Sequence, residues 1–297
     1  MNPYIILVLQ ILLAGGTHVV AKAATESVPP AVLTFLRTLI SSTLYVIYII
    51  YARLPFKYRG KDLALICFLG LISVPVNQFI FLYGIKRTTA TNAALLYSLT
   101  PVIVMFISHF YLKEKITITK ASGALMALSG VIIIIAEKGI TLGLTYIKGD
   151  LLVFSAVIAW ALYTVLGRKL VIKHGAINTT IYSALIGSIV FAPFGIAASV
   201  NYSYSAISVG TWMEIIYLGI ITSIVGYVLW YYALSKIEAS RVAVFTNGQP
   251  IATAVLSAIF LGQVITLTFI IGAIITITGV LITQQNQSRK ISRADVA

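Results

Sequence analysis

Acidic residues and cysteine are both scarce in this chain. It has 8 Asp and Glu against 21 Lys and Arg, and charged residues make up only 10% of it. The single cysteine, Cys67, excludes an intrachain disulfide. The sequence has no spacing typical of a metal site, no phosphate-binding glycine loop and no nucleophile paired with a base. We therefore expect no catalytic centre, no metal and no cofactor.

Long apolar runs are what the chain has instead. Hydrophobic residues make up 59% of it and the mean hydropathy is +0.99, more apolar surface than a soluble core of 32.1 kDa can bury. A helix of about 20 apolar residues crosses the hydrocarbon core of a bilayer. Ten such stretches are present, at 4–22, 31–52, 63–85, 91–111, 119–136, 150–169, 178–199, 210–234, 241–261 and 268–284. The sequence therefore predicts an all-α integral membrane protein with ten transmembrane helices.

The basic residues are unevenly distributed between the two ends of these spans. With the N-terminus inside, the cytoplasmic segments and the tail carry 15 of the 21 Lys and Arg residues. Because cytoplasmic loops are enriched in Lys and Arg, this pattern predicts an N-in, C-in multi-pass protein of the cell (inner) membrane. The net charge of +13 is then explained by topology, without a nucleic-acid partner.

The second half of the chain repeats the first. Aligning 82–133 with 231–282, at a constant offset of 149 and without a gap, gives 14 identical residues in 52 positions. An odd number of spans per copy makes the two copies enter the membrane from opposite sides, as in the inverted repeats of many transporters. We expect two inverted five-helix repeats, at 1–137 and 149–285, and a cytoplasmic tail at 286–297.

Several runs of residues resemble the EamA repeat of the drug/metabolite transporter superfamily. They are Tyr83 to Ala94, Thr100-Pro101, Leu112 to Thr117, Pro29 to Ala31 with Leu36-Arg37, and Trp160 to Lys169. The resemblance covers essentially the whole chain and rests on the paired order of these runs. It implies a carrier, most often an exporter, of amino acids, related metabolites or toxic amphiphiles. Gly262-Gln263 replaces the Gly-Glu usual in the second copy, so no role that needs a carboxylate in both halves is implied.

Proline occurs in the middle of the fourth and ninth predicted spans. Pro101 and Pro250 each remove one helical hydrogen bond and push on the carbonyl of residue i−4, which is Tyr97 or Thr246. Inside a bilayer such a carbonyl needs protein or a wet cavity beside it. These helix breaks therefore predict a central cavity, although polar helix packing is an alternative. The polar residues near them that we expect to bind a solute are Tyr97, Thr100, Asn247 and Gln249.

None of the eight carboxylates lies in the middle of a predicted span. Because proton- and sodium-driven carriers usually keep an ionisable group near the bilayer centre, this favours facilitated diffusion or substrate exchange. His18, in the first span after Gly15-Gly16, is the one imidazole that could support proton coupling. A hydrogen-bonded packing role is the alternative for His18.

Two cations lie towards the predicted outer side. Lys22 ends the first span, and Arg37 lies inside the second. A buried cation needs an anionic or strongly polar partner. If Glu26 is that partner, these residues form an outer ion pair. If it is not, Lys22 and Arg37 could meet the carboxylate of a passing metabolite.

Aromatic side chains are concentrated in the sixth and eighth predicted spans. Those that we expect in the cavity wall are Trp160, Tyr163, Tyr227 and Trp230. A belt of aromatic rings at the lipid headgroups is the alternative, and we expect it for Tyr231 and Tyr232, near the cytoplasmic end of their span.

Two amides follow a third intramembrane proline. Asn77 and Gln78 come soon after Pro75 and, at the offset of 149, align with Gly226 and Tyr227. Amides at this depth can hydrogen-bond a solute, so we include Asn77 and Gln78 among the candidate binding residues.

Glycines are spaced seven apart in the fifth and tenth predicted spans. Gly123 and Gly130 form one pair, and Gly272 and Gly279 form the other. Each pair lies on one helix face, where another helix can approach closely. This seam could hold the two repeats together or mediate a homodimer.

The expected function is transport of a small organic solute, such as an amino acid or a related metabolite, by alternating access. Proton-coupled efflux of amphiphilic or toxic compounds is an alternative, and so is a channel. A membrane enzyme acting on lipid or isoprenoid substrates would need clustered acids, histidines or a metal motif. A scaffold or sensor would not need matched helix breaks in the two halves.

Overall fold

Helices make up the parts of the chain that the structure describes. The computed structural model describes residues 2–137, 144–261 and 266–294, with side chains for 2–137, 146–255 and 266–284. The first five helices, α1 to α5, are Pro3–Ser27, Pro30–Ala52, Lys61–Ile85, Ala90–Leu112 and Ile118–Glu137. Helices α6 to α10 are Leu144–His174, Ala176–Ser199, Val209–Lys236, 239–261 and Leu267–Ala294. Over these ranges there is no strand, and Gly262, Gln263 and the last three residues of the predicted tail lie outside them.

The all-α membrane fold predicted from the sequence is confirmed. Within the described residues, nine helices are long and apolar enough to cross a membrane. The remaining predicted span coincides with α9, which is built from three short elements: Ala239–Val244, Phe245–Gly248 and Gln249–Leu261. That α9 crosses the membrane stays a prediction.

Several of the long helices are interrupted near their middle. Gly15 and Gly16 form a turn inside α1. Two π-helical segments with wider turns, Ile72–Phe79 in α3 and Tyr217–Gly226 in α8, occur at similar positions in the two halves. Wide turns of this kind rotate the following residues relative to a regular helix and are frequent at functional sites. In each half the π-helical segment contains or adjoins a residue proposed for the cavity wall, Asn77 or Tyr227.

Both predicted helix breaks have a counterpart just before the proline, a turn at 98–99 in α4 and the 3₁₀ segment Phe245–Gly248 in α9. Pro101 and Pro250 each lie in the first turn of the segment that follows, Thr100–Leu112 or Gln249–Leu261. Proline is tolerated there, since the first turn needs no backbone donor. The Tyr97 carbonyl accepts a hydrogen bond from Thr100 Oγ1 at 2.6 Å, so it is not left unpaired.

Several contacts between helices of the two halves have a counterpart in which every helix is replaced by its equivalent in the other half. Helix α3 packs on α6, and α8 packs on α1; likewise α4 packs on α6, and α9 on α1. The contacts of α2 with α7, α4 with α9 and α5 with α10 join equivalent helices. Equivalent helices from the two halves are therefore in contact with each other.

The glycine seam joins α5 to α10 within one chain. A Cβ atom on Gly130 would lie 2.5 Å from the Gly272 carbonyl oxygen, and one on Gly123 would lie 2.7 Å from the Gly279 carbonyl oxygen. The pairing of the lower number with the higher one means that the two helices run antiparallel. Of the two roles that the sequence left open, the structure shows the one inside the chain.

Candidate functional site

A central cavity lies where the interrupted parts of the helices meet. Eight residues proposed from the sequence line it: His18, Arg37, Asn77, Gln78, Tyr97, Trp160, Tyr227 and Gln249. They come from seven helices, three or more in each half of the chain. The wall also includes Gln10, Thr17, Phe81, Thr222 and Thr246. The wall combines amides and hydroxyls with large aromatic rings, as small-molecule sites commonly do.

A second cavity adjoins the first. His18, Tyr97, Thr246 and Gln249 line both, so these four side chains stand between them. The second cavity extends to Ala90 and Thr91 at the start of α4 and includes Pro250 in its wall. The second cavity therefore lies between the central cavity and the first turn of α4.

A hydrogen-bond network connects the two halves at the central cavity. Asn77 Nδ2 donates to the Ala156 carbonyl at 2.8 Å and to Tyr97 Oη at 3.2 Å. Tyr227 Oη donates to Asn77 Oδ1 at 3.2 Å. Gln78 Nε2 lies 3.5 Å from Tyr227 Oη, although 149 residues separate them, which is the repeat offset itself. Equivalent positions of the two halves thus touch in the cavity wall.

The π-helical segment of α8 places the partner of Arg37. Arg37 Nε and Nη2 both donate to Ser223 Oγ, at 3.2 and 2.8 Å. The Ser223 hydroxyl in turn donates to the Leu218 carbonyl five residues earlier, at 2.9 Å. No carboxylate in the described part of the chain forms an ion pair with Arg37. The alternative that Glu26 pairs with Arg37 or Lys22 is therefore not what the structure contains.

His18 packs among aromatic rings. Its ring meets those of Phe81 and Tyr97 edge to face, with centroids 5.7 and 5.1 Å apart. The Gly15-Gly16 turn of α1 comes just before it. His18 is therefore held at the boundary of the two cavities.

Five other residues proposed from the sequence do not line either cavity. Lys22 Nζ donates to the backbone carbonyls of Ile85 and Lys86. Thr100 is used to satisfy the Tyr97 carbonyl. Tyr163 and Trp230 are buried against neighbouring helices, where they bond to Ser183 and Thr164. Asn247 is buried in the 3₁₀ segment Phe245–Gly248 of α9. Thr246 in that segment and Gln249 directly after it line the cavity instead.

Tyr231 was predicted to lie in a headgroup belt, and this was wrong. It is fully buried, stacks on Tyr163 with centroids 4.8 Å apart and donates to the Tyr163 carbonyl at 3.1 Å. A buried phenol needs such a partner. The headgroup belt was predicted from the position of Tyr231 near the end of its span, but the packing of α8 on α6 decides the environment of its ring.

Sequence reasoning missed Gln10, Thr17 and Thr222. Gln10 is the only amide in the first apolar run, which is a weak signal because a single amide there is equally typical of packing. Thr17 Oγ1 and Thr222 Oγ1 lie 3.2 Å apart, one from each half of the chain. Nothing in their local sequence indicates that contact.

Charged residues form hydrogen bonds and ion pairs between helices at one end of the bundle. This end carries the loops 53–60, 113–117 and 237–238, which the charge pattern predicts to be cytoplasmic, and we call it the inner end. Buried Glu114 accepts from the Ala239 and Ser240 backbone N–H groups at 2.8 and 3.1 Å, and from Ser240 Oγ at 2.6 Å. Arg168 lies 3.7 Å from the same carboxylate. These contacts tie α4, α6 and the start of α9 together.

A second charged group at the inner end surrounds Glu238. Its carboxylate pairs with Lys120 at 2.7 Å and Arg241 at 2.9 Å. Arg241 also donates to the Thr283 carbonyl at 2.8 Å, so α9 is joined to α10 as well as to α5. Burial raises the pKa of Glu238, but the hydrogen bonds from Lys120 and Arg241 outweigh it, and the pKa lies below its ordinary value.

The lowered pKa of Glu238 predicts a pH effect on stability. A carboxyl whose pKa falls on folding stabilises the protein above its unfolded pKa of about 4.3, and that stability is lost as the pH drops through the folded pKa. We expect the melting temperature of the wild type to fall more than that of Glu238→Gln between about pH 6 and about pH 3. Equal falls in the two proteins would contradict this role.

Comparison with known proteins gives the class of this chain and then its family. Residues 1–136 and 147–284 each match the EamA-like transporter family. Together with the apolar helices, this defines a multi-pass membrane transporter. The chain belongs to the EamA-like transporter family, within the drug/metabolite transporter superfamily, and the family resemblance noted in the sequence is confirmed.

Relatives of similar length carry the same general name. The uncharacterized transporter YyaM of Bacillus subtilis (strain 168) is 29% identical over 286 residues, covering 95% of this chain and 93% of the relative. An uncharacterized transporter of Archaeoglobus fulgidus is 29% identical over 96% of this chain and 98% of its own length. The relatives are named as transporters, not as enzymes. One solved crystal structure shares the fold, with a TM-score of 0.78 and 19% identity over 95% of this chain and 98% of the other.

Proposed function

We propose that this transporter moves small organic solutes, such as amino acids or related metabolites, through the central cavity by alternating access. The observation that carries the proposal is the cavity itself, which is lined from both halves by amides, hydroxyls and aromatic rings at the helix interruptions. Interrupted helices are where many carriers bind substrate, because their wide turns bring polar groups to the cavity. Net export or exchange without a coupling ion fits the absence of a carboxylate among the described cavity-lining residues.

The two gates would come from two inverted repeats, 1–137 and 149–285. Three contacts support this arrangement: α5 and α10 are antiparallel, Gln78 meets Tyr227 at the repeat offset, and the helix contacts are related by exchange of the halves. With two such units, rocking one against the other exposes the cavity on alternate sides. The charge pattern supports an orientation with both termini in the cytoplasm and a location in the inner membrane.

In this orientation the conformation would be closed on the cytoplasmic side. The Glu114 and Glu238 groups lock the inner end, whereas the second cavity runs towards Ala90 and Thr91 at the opposite end of α4. Alternating access then requires that these ion pairs separate while contacts at the outer end form. We infer that the structure is nearer to the outward-open state.

Counterflow in liposomes tests the carrier proposal. Vesicles are loaded with an unlabelled amino acid and assayed for entry of the same labelled compound, with and without an imposed pH gradient. We expect saturable counterflow that ignores the gradient. Flux that never saturates would indicate a channel, and absence of flux for amino acids and their oxo-acid and amine analogues would overturn the proposal.

Proton-coupled efflux remains the second candidate function, and the position of His18 favours it. The imidazole lies at the boundary of both cavities, where a solute and a proton could compete for it. Under this alternative, uptake follows the pH gradient and His18→Ala abolishes that dependence. His174→Ala is the matched control, because His174 bonds to Asp62 at the inner end and not in the cavity.

A further inference from the structure

We propose that Arg37 makes the central cavity selective for organic anions, by binding the carboxylate of the solute. The inference rests on the proposed function, since it assigns the charge of the transported compound. The preferred ligand is a small carboxylate with an apolar or aromatic body and no net positive charge. A neutral amide with the same body would bind less well, and an amine least.

The charge balance of the cavity is the first argument. Arg37 is only 2% exposed, and it is the one Lys or Arg side chain among the described residues that line the central cavity. No Asp or Glu is among those lining residues either. Taking an unpaired cation out of water is costly, and an anionic partner offsets much of that cost. A carboxylate entering the cavity would be the anion that the protein itself does not supply.

Four of the eight acids are engaged away from the cavity. Asp62, Glu114 and Glu238 form ion pairs at the inner end. Asp150 accepts hydrogen bonds from Thr88 and Asn92, near the opposite end. These four carboxylates are therefore not available to Arg37 in this conformation.

The geometry of the guanidinium is the second argument. Its five N–H groups form a planar fork, and the fork can hold a carboxylate through two parallel bonds. The bonds that Arg37 makes within the described residues use Nε and Nη2 and go to one hydroxyl, Ser223 Oγ. Because that hydroxyl donates its own proton to Leu218, it presents only lone pairs to Arg37. Ser223 thus orients the guanidinium without neutralising it.

The rest of the cavity wall indicates the body of the ligand. Trp160 and Tyr227 meet edge to face with centroids 5.0 Å apart, and Phe81 and Tyr97 continue the aromatic wall at 5.5 Å. Rings of this kind bind an apolar or aromatic group. Gln10 and Gln78 also line the cavity, and their Oε1 atoms have no hydrogen-bond partner within the described residues. They can accept from a hydroxyl or an ammonium, but they carry no full negative charge, so the site favours net anions over net cations.

Four ligands that share one phenyl body test the charge preference. They are 3-phenylpropionate, phenylalanine, 3-phenylpropionamide and phenethylamine, which carry a negative charge, both charges, no charge and a positive charge. Binding to the full-length protein in detergent is followed by quenching of tryptophan fluorescence, because Trp160 lies in the wall. We expect the wild type to bind the acid roughly ten- to a hundredfold more tightly than the amide. Equal binding of acid and amide by the wild type would overturn the inference.

Variants at Arg37 assign the preference to this residue. Arg37→Gln should bind the amide as the wild type does but lose the preference for the acid, whereas Arg37→Lys should keep a reduced preference because its charge remains. Arg87→Gln is the matched control, since Arg87 is exposed at the outer end of α3 and bonds to the Tyr83 carbonyl. An undiminished preference in Arg37→Gln would overturn the inference. If Arg37→Gln fails to fold, Arg37→Lys becomes the test. A preference for the acid equal to that of the wild type would contradict binding of the carboxylate by the two parallel bonds of the guanidinium.

The binding test separates this inference from the proposed function. Fluorescence in detergent does not require transport, so an anion preference without counterflow in liposomes would leave the Arg37 site standing and remove the carrier proposal. Counterflow together with equal binding of the acid and the amide would support the carrier proposal and overturn the anion selectivity of Arg37.

Discussion

Gly130→Leu is expected to abolish the folded protein or to lower its melting temperature more than any other single glycine substitution on α5. A Cβ at this position would lie 2.5 Å from the Gly272 carbonyl oxygen and 2.6 Å from the Thr276 backbone nitrogen. Both are backbone atoms of α10, so no side chain can rotate away. Overpacking usually lowers the free energy of unfolding by about 1–3 kcal/mol. Because the Leu side chain would meet rigid backbone, we expect a loss at the upper end of that range or above it. The loss is measured as the yield and the melting temperature of the variant in detergent, by fluorescence-detected size exclusion.

Gly210→Leu is the matched control for this prediction. Gly210 lies in the first turn of α8, and the nearest atom to a Cβ there is Ser208 Oγ at 3.7 Å, an ordinary contact. We expect a change within about 0.5 kcal/mol, as for most surface substitutions. Gly130→Ala should lie between the two leucine variants. If Gly130→Leu melts within a degree or two of Gly210→Leu, close packing of α5 on α10 is not what holds these helices together.

The glycine seam also illustrates what sequence can predict here. A spacing of seven places Gly123 and Gly130 on one helix face whatever the rest of the fold, and small residues allow close approach. The identity of the partner helix is not contained in that spacing, because a second copy of the chain would present the same face. Only the three-dimensional packing of α5 on α10 decides between the two.

The cavity was predicted in part for a similar reason. Polar residues next to prolines and helix breaks, such as Asn77, Tyr97 and Gln249, line it because breaks and polar groups occur together where lipid is absent. Trp160 and Tyr163 are three apart on α6 and look equivalent in the sequence. In the structure Trp160 lines the cavity, whereas Tyr163 bonds to Ser183 on α7. The difference comes from which neighbour covers each side of α6, and local sequence carries no information about that.

The helix interruptions in α3 and α8 are another feature that sequence reasoning could not place. Pro75 marks the first, but Tyr217–Gly226 contains no proline at all. A wide turn shifts the face of every following residue, so helical periodicity counted from the start of α8 does not carry over to the residues after Gly226. Gln10 was missed for a different reason. Its helix face was predictable, but a single amide does not show whether that face lines a cavity or packs on another helix.

Glu114→Ala is expected to cause the second large loss of stability, on the order of 3–5 kcal/mol. The carboxylate is 7% exposed and accepts from two backbone N–H groups at the start of α9, from Ser240 Oγ and, at a longer distance, from Arg168. Its removal leaves buried donors and a positive charge without a partner, which costs more than the pair itself contributes. An anion at a helix N-terminus is also favoured by the helix dipole. The measurement is the melting temperature in detergent.

Glu137→Ala is the control, since Glu137 is an exposed carboxylate that bonds to Thr266 at the other end of the bundle, and we expect little change from it. The double variant Glu114→Ala with Arg168→Ala gives a sharper result. If the cost of Glu114→Ala comes partly from stranding Arg168, the double variant should be less destabilised than the sum of the two single variants. Strict additivity would mean that the Glu114 carboxylate acts through the backbone of Ala239 and Ser240 alone. Glu114 would then cap α9 but would not tie α9 to α6, and the contacts between helices at the inner end would rest on the Glu238 group.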